Sequence, residues 1–507
     1  MSSADQDCAD LTGRSIGGVL WGIAGTLIRA TLQIVAQVVL ARMLGPEQYG
    51  LFAVAVVVIL FSGFFADVGL AYSLIQRPQV SERDIRFVFS WQFLLGALVT
   101  ALLWFGAPVI GDWYGDARYG DVLGWLSLTC LIHSLGTTAQ MLLRREMRFK
   151  EVNLAAVIGY AIGFVGIGIP MAWLGAGVYA LVAAFLVQAT IETLLCLWWH
   201  PHPLRPLLRH GPGLGIVRFG LTAFLTSLLN WLMTSLDRLV VPRVLDATGA
   251  GLYATLGNFV SGPSVQVLAL LQNVFYSASA GVQDDTARLR HGLRSMFGVV
   301  ALLLTPVFVG AAVAAETLVL AVYGDAWVAG AVVLRGLSLA MPALLIMGMA
   351  VPVLWSSGRI EQELRLQLPL VLIWLAVLWW VAAQASLAWF AAATCALYYL
   401  RAAVIVRATL LAVQMSAGAL MRLWIAPALC TLAVAASAAV AEQLVPLAMP
   451  APLRLALIII ACALALLLAL RPSRALAGRR GARSAGAVCA ARWGAAGVRL
   501  VRGCLQA

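Results

Sequence analysis

The chain has 507 residues, is 62% hydrophobic and only 11% charged, and carries a formal net charge of +12. Water-soluble domains run at roughly 45–50% apolar and about 25% charged, which excludes a soluble globular protein. Short alternating strands of a membrane β-barrel are absent too, leaving an all-α polytopic membrane protein.

The first fifteen residues, MSSADQDCADLTGRS, are polar and acidic. No short apolar core with a cleavage site follows, so the first span reads as an uncleaved signal-anchor. Apolar stretches of about 20 residues, enough to cross the hydrocarbon core, are then expected at 16–42, 51–76, 87–109, 120–143, 152–174 and 176–199. They continue at 217–243, 249–275, 295–318, 329–354, 366–383, 386–410, 423–445 and 451–471. About 14 transmembrane helices result, with connections too short for a separate globular domain. The expected organisation is a cytoplasmic N-terminus (1–15), an N-lobe of spans 1–6 (16–199), a cytoplasmic linker (200–216), and a C-lobe of spans 7–12 (217–410). Spans 13 and 14 (411–471) and a basic tail (472–507) complete it.

Basic residues test that arrangement. Most of the 34 lysines and arginines fall in alternate connections, among them Arg83 and Arg86, Arg144, Arg145, Arg148 and Lys150, Arg205 and Arg209, and Arg288, Arg290 and Arg294. Positive residues mark the cytoplasmic side, so an even number of spans with both termini cytoplasmic follows. The net charge therefore reflects topology and not a nucleic-acid surface. The tail after Arg471 has no acidic residue and is expected to lie on anionic membrane lipids. The eight cysteines show no C-x-x-C pair or metal-ligand spacing, so neither a metal nor another cofactor is expected.

The segment VVLARMLGPEQYGLFA, starting at Val38, returns 201 residues later as LVVPRVLDATGAGLYA, starting at Leu239. Arg42 aligns with Arg243, Leu44 with Leu245, Gly50 with Gly251, Leu51 with Leu252 and Ala53 with Ala254. Six spans separate the copies, so both run the same way, which predicts two pseudo-symmetric six-helix lobes plus two C-terminal helices.

Arg29, Gln33 and Gln37 form a polar stripe on span one, because residues four apart drift only about 40° around a helix. The same offset places Asn230, Thr234 and Arg238 on span seven. An arginine at a bilayer centre costs at least roughly 2.5–3.5 kcal/mol, so Arg29 needs a hydrated cavity or a partner. One reading is a cationic cavity that receives an anionic group, which suits arginine's planar fork. The other is an ion pair, Arg29 or Arg238 with Asp67 or Asp237. Those two carboxylates are also candidates for ion coupling, against the blander role of a structural pair. His133 reads as a helix–helix hydrogen bond, Arg335 as a vestibule residue or a partner of Asp325, and Gly159 with Gly163 as a close-packing face.

Enzyme signatures fail. Gly13 to Gly17 matches G-x-S-x-G without the strand–turn–helix that would aim the serine. Lys150 is the only lysine and no P-loop surrounds it. Asp284 and Asp285 sit in a short loop with no catalytic domain around them.

The segments LARMLGPEQYGLFAVA, ADVGLAYSLIQR, LLRREMRFKEV, WLGAGVYALV and SLDRLVVPRVLDATGAGLYA resemble, in that order, the polysaccharide-biosynthesis or Wzx-type flippases. These belong to the multidrug/oligosaccharidyl-lipid/polysaccharide exporter superfamily. The resemblance covers about residues 10–360. It implies a bilobed, non-enzymatic transporter of the bacterial inner membrane, moving undecaprenyl-pyrophosphate-linked oligosaccharide outward by alternating access. It further implies pyrophosphate at Arg29 and Arg238, sugar contacts at Gln33, Gln37, Asn230 and Thr234, and coupling to a proton or sodium gradient. Polysaccharide polymerase and glycosyltransferases are the implied partners. A multidrug or peptidoglycan-precursor transporter of the same superfamily, or a membrane glycosyltransferase or polymerase, remain the alternatives at this point.

Overall fold

The computed structural model describes residues 3–67, 70, 74, 80–209, 213–279, 286–356, 360–446 and 448–479. Among them there is no strand. The helices are α1 (Ser3–Asp67), α2 (Glu82–Tyr114), α3 (Ala117–Arg145), α4 (Phe149–Tyr160, extended to Trp173), α5 (Val178–Trp199) and α6 (Gly213–Ser279). They continue as α7 (Thr286–Val299, extended to Val313), α8 (Ala315–Val322), α9 (Ala331–Ser356), α10 (Ile360–Ala382), α11 (Leu387–Ala412), α12 (Ala417–Leu444) and α13 (Ala451–Arg479). Two compact units divide the chain, Met1–Thr255 and Leu256–Ala507, the division falling inside α6.

Twelve helices among the described residues are long and apolar enough to cross a membrane, two fewer than the expected fourteen. The difference lies in Arg29–Ala66 and Leu228–Gln272, each counted once, where the expectation placed two spans and two helices run end to end across a kink. Each is interrupted by a single residue of non-helical backbone, Gly45 (φ 75°, ψ 174°) in α1 and Asp246 (φ 67°, ψ −174°) in α6. These positions correspond in the repeat, so the two copies share a turn as well as a sequence. That conformation is essentially reserved for glycine, and another residue there costs about 1–3 kcal/mol. At Asp246 the carboxylate offsets part of this by accepting the Gly249 N–H at 2.9 Å, as a helix N-cap does. Gly45→Ala should therefore lower stability by about 1–3 kcal/mol although nothing lies within 4 Å of the added Cβ. Thermal unfolding in detergent measures it, and an unchanged midpoint would refute the strain argument.

Local chemistry sets the other boundaries. The Ser81 hydroxyl accepts the Asp84 N–H at 3.2 Å while the Asp84 carboxylate accepts the Ser81 N–H at 2.9 Å, a capping box that starts α2. Gly115 (φ 82°) ends it, and the Asp116 side chain caps α3. α4 and α7 each contain a π segment, Ala161–Gly168 and Val300–Leu304, and a proline follows two residues after each, Pro170 and Pro306. Proline has no N–H and clashes with the carbonyl four residues back, and the wider π turn relieves that clash.

The first unit packs around Leu51, Val54, Leu103, Leu123, Leu126 and Val182. Gly159 and Gly163 bring α4 onto α5 so closely that a Cβ on Gly159 would lie 3.0 Å from the Gln188 carbonyl oxygen, and one on Gly163 would overlap that of Ala184. The expected close-packing face is thus present. The second unit has its own core around Leu293, Phe297, Leu345, Val353 and Ile405. Outward faces are apolar: Phe105 is 80% exposed, and Trp173 and Trp379 are each 82% exposed. Such surfaces belong against lipid tails.

A second duplicated element escaped the single-offset comparison. Tyr114-Gly115-Asp116-Ala117 in the first unit has a counterpart in Tyr323-Gly324-Asp325-Ala326 in the second. Both glycines have positive φ, 82° and 93°, and each tyrosine leans on an aromatic ring just beyond, Tyr119 at 5.2 Å and Trp327 at 5.4 Å.

Arg118 braces this turn in the first unit, 2.8 Å from Asp116 and 2.8 Å from Glu47 beside the α1 turn. Its hydrogen bond holds the Asp116 carboxyl below the usual carboxylate range. A depressed carboxylate adds stability that is present above its unfolded pKa and lost as pH falls through the folded one. Arg118→Gln should therefore lower the unfolding midpoint slightly at neutral pH and not at all in acid. The pair is exposed, so the effect stays within about 1 kcal/mol. An equal loss at both pH values would refute it.

Candidate functional site

The first half of α1 carries the polar stripe. Gln33 is exposed, and Arg29 and Gln37 are half-buried, beside the exposed Thr31, Ile34 and Val35. Arg29 takes part in none of the ion pairs among the described residues. Its neighbour is Tyr160 of α4, a buried residue that the sequence did not single out. The Tyr160 hydroxyl donates to the Gln33 carbonyl, one turn along from Arg29, at 3.4 Å. Tyr160 is held by stacking on Phe164, with ring centroids 4.6 Å apart. Further along, the Tyr49 hydroxyl donates back across the Gly45 turn to the Gln37 carbonyl at 3.2 Å. The stripe is thus anchored through its backbone, which leaves its side chains to other partners.

The corresponding stretch of α6 is built differently. Thr234 donates to the Asn230 carbonyl of its own helix at 3.0 Å, so its hydroxyl remains mainly an acceptor. Asn230 is half-buried, and its neighbour Trp231 packs against Phe61 and Phe64 of α1, with centroids 5.2 and 6.2 Å away. Asp237 is buried, 4% exposed, and its carboxylate accepts the Tyr253 hydroxyl from beyond the Asp246 turn. The adjacent Arg238 lines a narrow crevice with Ala53, Val54, Val57, Pro242 and Tyr253. Asp237 therefore bridges the two halves of α6, while Arg238 points toward the second half of α1. Asp67 closes α1, and its side chain lies outside the described residues, as do Asp284 and Asp285.

The two copies of the repeat meet. A Cβ on Gly50 would overlap the Ala247 carbonyl oxygen, and a Cβ on Gly251 would overlap that of Pro46. In the repeat Gly50 corresponds to Gly251 and Pro46 to Ala247, so the contact is reciprocal, as about a local two-fold axis. Arg238 lies beside this crossing.

Arg335 is 3.9 Å from Glu316 and donates to the Ala312 carbonyl at 3.3 Å, and of its two expected roles the Asp325 pairing is not found among the described ion pairs. Glu192 of α5 escaped the sequence reading altogether. Its carboxylate accepts the Gln140 amide of α3 at 3.3 Å. No group of metal-ligating side chains occurs among the described residues.

Comparison with known proteins places this geometry. Lipopolysaccharide biosynthesis protein WzxC of Escherichia coli (strain K12) is 27% identical over 319 residues, covering 62% of this chain and 64% of that protein. Succinoglycan biosynthesis transport protein ExoT of Rhizobium meliloti (strain 1021) is 26% identical over 323 residues, covering 62% of this chain and 63% of that protein. The matched region thus spans just under two thirds of each relative. Among solved structures, lipid II flippase MurJ in an inward closed conformation superposes with a TM-score of 0.71 at 13% identity, over 88% of this chain and 98% of that one. That likeness establishes the multi-pass membrane fold. The family model described as polysaccharide biosynthesis protein matches residues 39–332, more than half of the chain, and this chain belongs to that family.

Proposed function

We propose that this protein is a flippase of the bacterial inner membrane that carries undecaprenyl-pyrophosphate-linked oligosaccharide to the outer leaflet by alternating access. One observation carries the reading: a membrane helix presents Arg29, without an ion pair among the described residues, on an accessible polar stripe. A guanidinium in that setting is completed by an anionic group from outside the protein. A pyrophosphate headgroup supplies two such groups, and its polyprenyl chain stays in the bilayer. The names of the relatives, for lipopolysaccharide biosynthesis and succinoglycan transport, support a glycan cargo.

In this reading Arg29 and Arg238 hold the pyrophosphate, and Gln33, Gln37, Asn230 and Thr234 meet sugar hydroxyls. Both polar faces belong to residues 1–255, where one hydrated cavity would receive them. The lobes 16–199 and 217–410 rock to expose it, with both termini and the basic tail cytoplasmic. Polymerase and glycosyltransferases act before and after it, and the protein itself catalyses no reaction. Asp67 and Asp237 are candidates for coupling to a proton or sodium gradient, though the Tyr253 hydrogen bond favours a structural role for Asp237.

The test is a deletion strain. Loss of surface polysaccharide with lipid-linked repeat units accumulating on the cytoplasmic leaflet supports flipping. Normal polysaccharide with altered drug tolerance would sink it in favour of drug export.

A further inference from the structure

Residues 200–209, between the end of α5 and the start of α6, form no helix, yet they are held along α2. The Arg86 guanidinium of α2 donates to the Arg205 carbonyl at 3.1 Å, and the Trp91 indole N–H to the Leu208 carbonyl at 3.3 Å. In return the Leu207 N–H donates to the Ser90 hydroxyl at 2.7 Å. The His202 ring meets Phe89 edge-on with centroids 5.0 Å apart, and Leu207 packs into the cluster of Leu74, Phe87, Val88 and Leu142. Pro201, Pro203 and Pro206 fix φ and present no N–H that needs a partner, so the segment is a stiff strap.

Its outer side has no protein over it. Leu204 is 58% exposed and Leu208 48% exposed, and the adjoining Arg205 and Arg209 are exposed as well. Neither arginine takes part in an ion pair among the described residues. The strap itself has no carboxylate. Around it, Asp84 is engaged in the capping box of α2, and Glu146 lies 3.0 Å from His200 and 3.5 Å from Arg148. Glu82 is exposed at the start of α2, with Arg83 beside it. Two tryptophans set the depth of the strap, Trp91, which holds Leu208, and Trp198, exposed in the last turn of α5. Such rings sit at the level of lipid headgroups. Leucines and arginines exposed together at that level match the two layers of a leaflet, acyl border and phosphate.

We infer that residues 200–209 are a lipid-docking strap. Leu204 and Leu208 enter the acyl border, and Arg205 and Arg209 meet the phosphates of anionic phospholipid. Anionic lipid is the partner because the strap has two guanidinium charges and no carboxylate, whereas a zwitterionic headgroup balances its phosphate with its own cation. Which leaflet this is follows from the topology proposed above, but the docking does not depend on the cargo.

Hydrogen–deuterium exchange of the purified full-length protein tests this, read on peptides covering residues 200–209. The protein is placed in nanodiscs of phosphatidylglycerol or of phosphatidylcholine at neutral pH. Each arginine near an anionic surface is worth roughly fivefold in binding, so the strap should exchange up to roughly 30-fold more slowly in phosphatidylglycerol. Arg205→Gln with Arg209→Gln should remove most of that difference, and Arg205→Lys with Arg209→Lys should keep it. If the glutamine pair fails to fold, Leu204→Ser with Leu208→Ser takes its place and should speed exchange in both lipids. Inorganic phosphate added to phosphatidylcholine discs should change nothing. Equal exchange of the wild type in both lipids overturns the proposal, as does a difference that survives the glutamine pair or vanishes in the lysine pair. So do serine variants that exchange like the wild type. Slowing by phosphate alone would assign the arginines to a free anion and overturn lipid docking. A deletion strain with normal polysaccharide would remove the flippase reading and leave this result standing.

Discussion

Gly50→Ala and Gly251→Ala should each sharply reduce the yield of folded protein, and by similar margins. The added Cβ on Gly50 would overlap the Ala247 carbonyl oxygen, and that on Gly251 the Pro46 carbonyl oxygen. Both obstacles are backbone atoms, so no rotamer change makes room and the helices must separate. Overpacking typically costs about 1–3 kcal/mol, and a collision with backbone belongs at or above the top of that range. Gly63→Ala is the internal control, because nothing lies within 4 Å of its added Cβ. There alanine should gain about 0.5–1 kcal/mol from its better helix propensity. Expression, monodispersity and the unfolding midpoint in detergent check all three. A wild-type midpoint for Gly50→Ala would mean that the helices do not cross as described.

Arg29→Gln should leave the protein folded and lower transport by roughly 10–150-fold. A hydrogen bond to a charged group is worth about 1.5–3 kcal/mol, and about 1.4 kcal/mol corresponds to tenfold. Arg29→Lys keeps the charge and loses the two-pronged geometry, so it should fall between glutamine and the wild type. Complementation of the deletion strain, with membrane levels matched by immunoblot, separates binding from folding. Full activity of Arg29→Gln at normal level would remove Arg29 from the cargo site.

Much of this molecule is written along the chain. The duplication is visible because Gly50 and Gly251, Leu51 and Leu252, and Arg42 and Arg243 keep one offset. The all-helical character follows from composition. The form of the boundaries at 42–51 and 243–249 does not, because one residue of glycine-type backbone, Gly45 or Asp246, separates two helices there with no intervening loop. Arg29 stands out because charge is expensive in a span. Tyr160 does not, since an aromatic residue on an apolar helix looks the same whether it supports a site or fills a core. Glu192 is legible only with its partner, which lies more than fifty residues away on another helix. The Tyr-Gly-Asp-Ala turns are hidden because their spacing differs from that of the first repeat.

The reciprocal crossing at Gly50 and Gly251 also bears on ancestry. It is the contact that two identical half-length chains would make on dimerising, each glycine resting on the other's backbone. Fusing such a pair requires no new interface, only a linker. In the dimer every substitution would appear twice, once on each side of the axis. After fusion the copies are free to drift, and Gly45 with Asp246 records such drift. The same backbone is kept on one side by the absence of a side chain, and on the other by a carboxylate that holds it in place.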